Sequence, residues 1–192
     1  MSKFAKLGSV RRSWDTAIIG LLLLVWVFAS LTTSNFLTPL NFSYIFSNTS
    51  EIMIIAFAML FMIILGEIDL SVASILALGS SMLGWSYAKG APIWMAILIC
   101  ILVGTACGFV NGFLVTKLGL GSLAVTIGTL ALYRGIANGL LGENTVNEFP
   151  EFWTSFGFDT IGKSFMPKTL PLIIIFGILF GLLLHKTPFG RR

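Results

Sequence analysis

Charge is what this sequence has least of. Only 10% of its 192 residues are Asp, Glu, Lys or Arg, with a single histidine and two cysteines. A soluble helical domain needs a polar outer face, and this composition excludes one. The net charge of +4 does not describe a nucleic-acid surface either. The basic residues stand singly or in pairs at the ends of apolar runs, which is a topology signal, so no nucleic-acid partner is expected. Cys100 and Cys107 lie in one apolar run, and at helical rise they are separated by roughly 10 Å, beyond disulfide reach. The one histidine, His185, sits at the far end of the last run, so the cysteines lack further metal ligands and read as small packing residues. Also missing are a Walker-type glycine loop with its lysine, a Gly-x-Ser-x-Gly elbow and a histidine-rich cluster. No catalytic residue, metal or cofactor is therefore expected, and any energy for work must come from a partner or an ion gradient.

What the sequence has in abundance is apolar surface: 56% of residues are hydrophobic and the mean hydropathy is +0.95. Against a bilayer core of about 30 Å, the apolar runs give six spans, at 16–33, 43–65, 71–87, 92–115, 123–141 and 169–185. The expected fold class is an all-α, polytopic transmembrane helix bundle in one membrane domain, 1–192. Lys3, Lys6, Arg11 and Arg12 before the first run resemble a secretory signal, but the apolar core is too long and further spans follow, so an uncleaved first helix is expected. With the N-terminus inside, those four residues fall in the cytoplasm with Lys117, Lys186, Arg191 and Arg192, against Lys89, Lys163 and Lys168 outside. The positive-inside bias thus predicts N-in, C-in. The segment 142–168 becomes an outside loop. Its mixture of Glu148, Glu151 and Asp159 with Phe149, Phe152, Trp153, Phe156 and Phe158 predicts an interfacial helix or plug; headgroup-level aromatics and docking of an extracytoplasmic binding protein are its two readings.

Gly66, Glu67, Ile68, Asp69 and Leu70 are barely enough for a turn between two spans. The backbone is expected to break there, with Asp69 or Ser71 capping the new helix. Irregular backbone is not tolerated against lipid, so the break must be packed in protein, at the cytoplasmic surface, or against a water-filled cavity. Three roles for Glu67 and Asp69 stay open: capping helices, gating a path by bonding solute hydroxyls or water, or carrying a proton.

Helix faces add further expectations. In the fourth span Gly104, Gly108 and Gly112, with Cys100, Cys107 and Asn111, predict a close-packing surface; Gly177 and Gly181 give the sixth span a shorter version. In the fifth, Ser122, Thr126, Thr129 and Tyr133 form one stripe, and Gly128, Ala131, Gly135 and Gly139 a roughly opposite one. The small stripe is expected against a neighbouring helix and the hydroxyls towards a polar partner or pathway, unless they bond back to their own helix. Arg134 and Glu51 are costly in lipid. Either they form an ion pair, Arg134 bonds helix-end carbonyls, or Arg134 meets a passing hydroxylated solute.

Several of these stretches carry a family resemblance. Gly66-Glu67-Ile68-Asp69-Leu70-Ser71-Val72-Ala73-Ser74 resembles the Gly-Gly-Ile-Asp-Leu-Ser-Val-Gly signature of permeases in the ribose, xylose, rhamnose and autoinducer-2 uptake family of ABC transporters. Asn35-Phe36-Leu37 through Asn41, Asn111-Gly112-Phe113-Leu114-Val115-Thr116-Lys117-Leu118, and Val125-Thr126-Ile127-Gly128-Thr129-Leu130 with Tyr133-Arg134-Gly135 resemble further family segments, in order. The resemblance implies a permease of the bacterial cytoplasmic membrane that works with a second permease copy or homologue, cytoplasmic ATP-binding subunits and a periplasmic sugar-binding protein, by ATP-driven alternating access. Glu67 at the second signature position is similar to the rhamnose-type members and implies rhamnose or a related sugar. Glu67, Asp69, Ser71, Asn111, Thr126, Thr129, Tyr133 and Arg134 are the expected path or helix-break residues. Members continue beyond the segment matched by His185 to Arg191 into an ATPase-contacting stretch and more spans, so the chain is expected to be the N-terminal part, a little over half, of such a permease. A proton-coupled secondary transporter using Glu67 and Asp69, and a shortened, non-transporting membrane subunit, are the alternatives.

Overall fold

The computed structural model describes residues 2–142, 144–162 and 166–187, with side chains from residue 14 onward. Lys163, Arg191 and Arg192, and the side chains of Lys3, Lys6, Arg11 and Arg12, therefore lie outside the described residues. The described residues form seven helices and no strand: α1 (Ser2–Thr32), α2 (Pro39–Leu65), α3 (Val72–Ala88), α4 (Ile93–Thr116), α5 (Ser122–Leu141), α6 (Glu151–Phe158) and α7 (Leu170–Lys186). The chain is an all-α membrane helix bundle. Trp14–Thr32, α2, α4 and α5 are long and apolar enough to cross a bilayer; α3 and α7 are apolar but shorter, at 17 residues each. At 1.5 Å per residue those two rise about 25 Å. Among the described residues of 142–168, the one helix is α6.

Local chemistry explains the boundaries. Thr38 caps α2: its Oγ1 accepts from the Asn41 N–H at 3.3 Å, and Pro39 follows at the first helical position, where a missing N–H costs nothing. The Asn41 amide reaches back to the Phe36 carbonyl at 2.8 Å, closing the turn after α1. Gly66 ends α2 in the left-handed region, φ 74°. The Gly66 and Glu67 amides bond the Ile63 and Met62 carbonyls, a C-cap that glycine adopts without strain.

Two packing units follow. In the first, α3 lies against α4 and α5, burying Ser74, Leu78, Gly79, Ser81, Gly84 and Ser86 of α3. Leu78, Cys107, Tyr133 and Ala137 form its centre. A Cβ on Gly79 would stand 3.1 Å from the Cys100 sulfur, so glycine is what lets α3 and α4 approach here. In the second, α2 packs on α7: Ser50 Oγ and Thr169 Oγ1 are 2.8 Å apart, Phe57 and Phe61 meet Phe180, and Gly177 leaves room for the Phe57 ring.

Outside the membrane segments the chain folds back on itself. Val146 packs over Gly84, Phe149 stacks on Tyr87, and Trp153 of α6 meets Trp94 edge to face. A polar clasp ties the end of α6 to the start of α7. Lys168 Nζ lies 3.2 Å from Asp159 Oδ2 and also donates to Ser155, whose hydroxyl donates to the same carboxylate at 2.6 Å. The Ser155 hydroxyl and the Lys168 ammonium hold the Asp159 carboxyl below its ordinary value.

Small-residue packing differs from expectation in two places. Gly104 approaches Ile75 of α3, but a Cβ on Gly108 or Gly112 would meet nothing within 4 Å. Each four-residue step advances 400°, so a glycine line walks 40° per step away from the contact, which Cys107 and Asn111 occupy instead. Likewise Gly128, Gly135 and Gly139 of α5 have no neighbour within 4 Å, because the opposite face of that helix meets α3.

The close approach at Gly79 gives a direct test. Gly79→Val is expected to lower thermal stability in detergent, by about 1–3 kcal/mol for an overpacked contact. Adding Cys100→Ala should recover part of that loss. Equal melting temperatures for wild type and Gly79→Val would show that α3 and α4 do not meet there.

Candidate functional site

The break between α2 and α3 is where irregular backbone and polar side chains concentrate, and three helices fasten it. Asp69 Oδ1 accepts from the Ser71 amide at 2.8 Å and from the Ser71 hydroxyl at 2.6 Å. Asp69 therefore caps α3 from two residues upstream, and the Ser71 side chain does not cap. The Ser71 carbonyl in turn accepts from the Ser74 and Ile75 amides, both at 2.9 Å, and from the Ser74 hydroxyl at 2.7 Å.

From Ser71 the network crosses to α4 and α5. Asn111 Nδ2 donates to Ser71 Oγ at 2.8 Å. The Tyr133 hydroxyl sits 3.2 Å from the Cys107 carbonyl and 3.4 Å from Asn111 Oδ1, as a donor shared between them. Ser71 is fully buried, and Asn111 and Tyr133 are 6% and 5% exposed. Since the Ser71 hydroxyl has one hydrogen, and gives it to the carboxylate, it must accept from Asn111; this fixes which end of the amide faces it. Donor-to-acceptor order then runs one way, from Tyr133 through Asn111 and Ser71 to Asp69, so each bond polarises the next.

The N-terminal turn of α5 holds the other side of the break. The Ile68 amide donates to Ser122 Oγ at 3.4 Å, and Thr126 Oγ1 lies 3.4 Å from the Ile68 carbonyl. The shorter bond of Thr126 is to its own helix, at the Ser122 carbonyl, 2.8 Å away. Thr129 likewise bonds the Val125 and Thr126 carbonyls. The hydroxyl stripe is buried against α3, and its bonds serve mainly α5 itself.

Of the expected site residues, Asp69, Ser71, Asn111, Thr126 and Tyr133 share this assembly, and Thr129 is buried beside it. Glu67 is half-buried at the break; its amide bonds the Met62 carbonyl, and its carboxylate has no hydrogen bond or ion pair among the described residues. Arg134 lies on the outer face of α5, exposed in this chain. The structure does not bring Arg134 to Glu51: α2 packs on α7, while α5 packs on α3 and α4, so the two charges belong to different units. Two participants escaped the sequence reading. Ser74, three residues after Ser71, had an i, i+3 signal; the Cys107 carbonyl, a backbone group, had none. Among the described residues no cluster of three His, Cys, Asp or Glu side chains could hold a metal. A cavity of about 430 Å³, lined by Tyr87, Ala88, Thr145, Val146, Asn147 and Glu148, lies at the opposite end of α3, away from the break.

This arrangement, a turn between two apolar helices stitched to two neighbours by buried polar groups, has sequence relatives. The chain is 33% identical over 177 residues to the ribose import permease protein RbsC of Bacillus subtilis, covering 91% of this chain and 54% of that protein. It is 32% identical over 194 residues to the autoinducer 2 import system permease protein LsrD of Klebsiella pneumoniae, covering 95% and 56%. The LsrD protein of Yersinia enterocolitica is 31% identical over 191 residues, covering 95% and 56%. The chain thus spans about half the length of the curated relatives it matches. No solved structure matches it. The family model described as the branched-chain amino acid transport system / permease component matches residues 41–192, the break and every helix from α3 to α7 included. With most of its length inside that match, the chain belongs to this family of membrane permease components.

Proposed function

We propose that the chain forms part of the solute path in the permease of an ATP-driven importer of a monosaccharide or sugar-like molecule, in the bacterial cytoplasmic membrane. The observation that carries this reading is the buried polar network at the α2–α3 break, in a chain similar over nine-tenths of its length to permeases named for ribose and autoinducer 2 import. A helix interrupted inside a bundle presents backbone and side-chain polar groups where no lipid can satisfy them, and such groups suit a hydroxylated solute. Hydrolysis of ATP belongs to cytoplasmic partner subunits and solute delivery to a periplasmic sugar-binding protein. A second permease copy or homologue completes the path. Glu67, at the second position of the break, inclines the sugar towards rhamnose.

Coupling is tested in proteoliposomes holding the full permease with its ATP-binding subunits and loaded binding protein. Sugar uptake is expected to require ATP inside and to survive a protonophore. Uptake that follows a proton gradient without ATP would overturn the reading in favour of a proton-coupled carrier. Rhamnose is expected to bind the cognate binding protein; ribose binding in its place would correct the sugar.

Four substitutions separate support from path. Asn111→Leu leaves Ser71 without its donor and Tyr133 without one of its acceptors, and is expected to cost about 1–3 kcal/mol in detergent unfolding; Tyr133→Phe should cost less, about 0.5–1.5 kcal/mol. A larger loss for Tyr133→Phe would place the centre of the network elsewhere. Asp69→Ala and Arg134→Ala are both expected to reduce uptake at normal expression. Wild-type uptake in both would remove these side chains from the transport cycle.

A further inference from the structure

The cavity at the far end of α3 is built by the chain that follows α5, and its walls are fixed by contacts within that segment. Gly142 leaves α5 with φ 58°, which glycine adopts without strain. The Asn144 amide and its side-chain Nδ2 both donate to the Leu141 carbonyl, at 3.0 and 3.2 Å. Val146 packs over Gly84 of α3. The Phe149 amide donates to the Asn147 carbonyl at 3.1 Å, and the Phe149 ring stacks on Tyr87 with centroids 5.3 Å apart. Thr145, Asn147 and Glu148 therefore lie between anchored points, so a ligand meeting them need not first order the segment.

The chemistry of the lining narrows the ligand. The volume of about 430 Å³ falls in the range of about 300–1,000 Å³ usual for small-molecule sites. Around it stand a phenol, an alcohol, a carboxamide and a carboxylate, from Tyr87, Thr145, Asn147 and Glu148, beside the methyl groups of Ala88 and Val146. None of the four polar side chains has a hydrogen bond or ion pair among the described residues. Carboxylate and carboxamide oxygens accept from hydroxyls, the amide nitrogen and the two hydroxyls donate to them, and the ring and methyl groups cover C–H surface. A calcium-like cation takes about six to eight oxygens close around it, which one carboxylate in so wide a cavity does not supply. An anion would face Glu148 with no lysine or arginine in the lining.

We propose that this cavity is a second solute site, separate from the break, which takes a neutral polyhydroxylated molecule of monosaccharide size. The Asn147 carboxamide and the Glu148 carboxylate bond its hydroxyls, and the strap from Gly142 to Phe149 holds them in place. This deepens the importer reading above and rests on it for the class of solute, but binding here needs no ATP.

The test uses the full permease in nanodiscs, with neither ATP-binding subunits nor binding protein. Cys100 and Cys107 are changed to alanine, Thr145→Cys is introduced, and its alkylation by a maleimide is timed. Ready alkylation is expected without sugar. L-rhamnose or D-ribose is expected to slow it several-fold and saturably, while trimethylamine N-oxide, calcium chloride and sodium phosphate leave the rate unchanged. Asn147→Ala, at an exposed position whose side chain supports no fold contact by hydrogen bond, is expected to raise the half-protecting sugar concentration about five- to tenfold, the effect of one lost hydrogen bond. A thiol that stays unreactive without sugar would show the cavity filled by other parts of the permease and overturn the site. Protection by neither sugar, protection by the salts instead, or equal protection after Asn147→Ala would overturn it as well. Coupling is read separately: ATP-driven uptake without protection removes the site and keeps the importer, whereas protection alongside proton-driven uptake keeps the site and removes the ATP-driven reading.

Discussion

Lipid offers no hydrogen bonds, and that constraint governs the turn between Leu65 and Ser71. Every polar group released where a helix stops inside a bundle must find a protein partner, and an unsatisfied one in hydrocarbon is strongly unfavourable. The chain meets the constraint with three devices. Gly66 turns the carbonyl end of α2 back on itself through a left-handed residue. Asp69 supplies a charged acceptor to the opening amide of α3. Ser122 and Thr126 reach the backbone of Ile68 from α5. Once those are in place, the positions of α3, α4 and α5 relative to the break are tied to one another through Ser71, Asn111 and Tyr133.

The two packing units use different means because they face different demands. Without a hydrophobic drive between helices in a bilayer, close approach and polar contacts hold them together. In the α3–α5 unit, Gly79 lets α3 approach Cys100 of α4, and a polar chain crosses the interface. In the α2–α7 pair the interface is aromatic, with Phe57 and Phe61 against Phe180, Gly177 making room for the Phe57 ring, and a hydroxyl pair, Ser50 with Thr169, near the start of α7. The first unit has specific, directional contacts that set register. The second relies on shape, so small shifts along it disturb fewer hydrogen bonds.

The break was legible in the sequence because a glycine, two carboxylates and a serine interrupt an otherwise continuous apolar stretch, and each has a local physical role. The buried stripe of Thr126, Thr129 and Tyr133 was legible from helical period alone. Other readings depended on which helix lies next to which, which periodicity does not carry. Gly108 and Gly112 belong to the same i+4 line as Gly104, yet that line drifts off the α3 contact. Gly128, Gly135 and Gly139 mark a face suited to a neighbour without saying that the neighbour is absent from this arrangement. An ion pair between Arg134 and Glu51 was chemically reasonable, but chemistry alone could not place α2 and α5 in separate units. The capping role also needed coordinates: Asp69 and Ser71 both qualify by type, and only geometry shows the serine turned towards the carboxylate and Asn111.

The direction of the polar chain bears on how such a break can move. Asp69 is the only charged member, and it accepts at the end of a one-way series of donors, so the bonds nearest it are the strongest and those at Tyr133 the weakest. The distances follow that order: 2.6 Å at Asp69, 2.8 Å between Asn111 and Ser71, and 3.2–3.4 Å at Tyr133. If α5 shifts against α3 and α4, the bonds at Tyr133 yield first, while the Asp69–Ser71 cap keeps α3 intact. The network is thus tightest where it terminates a helix and loosest where it meets the next one.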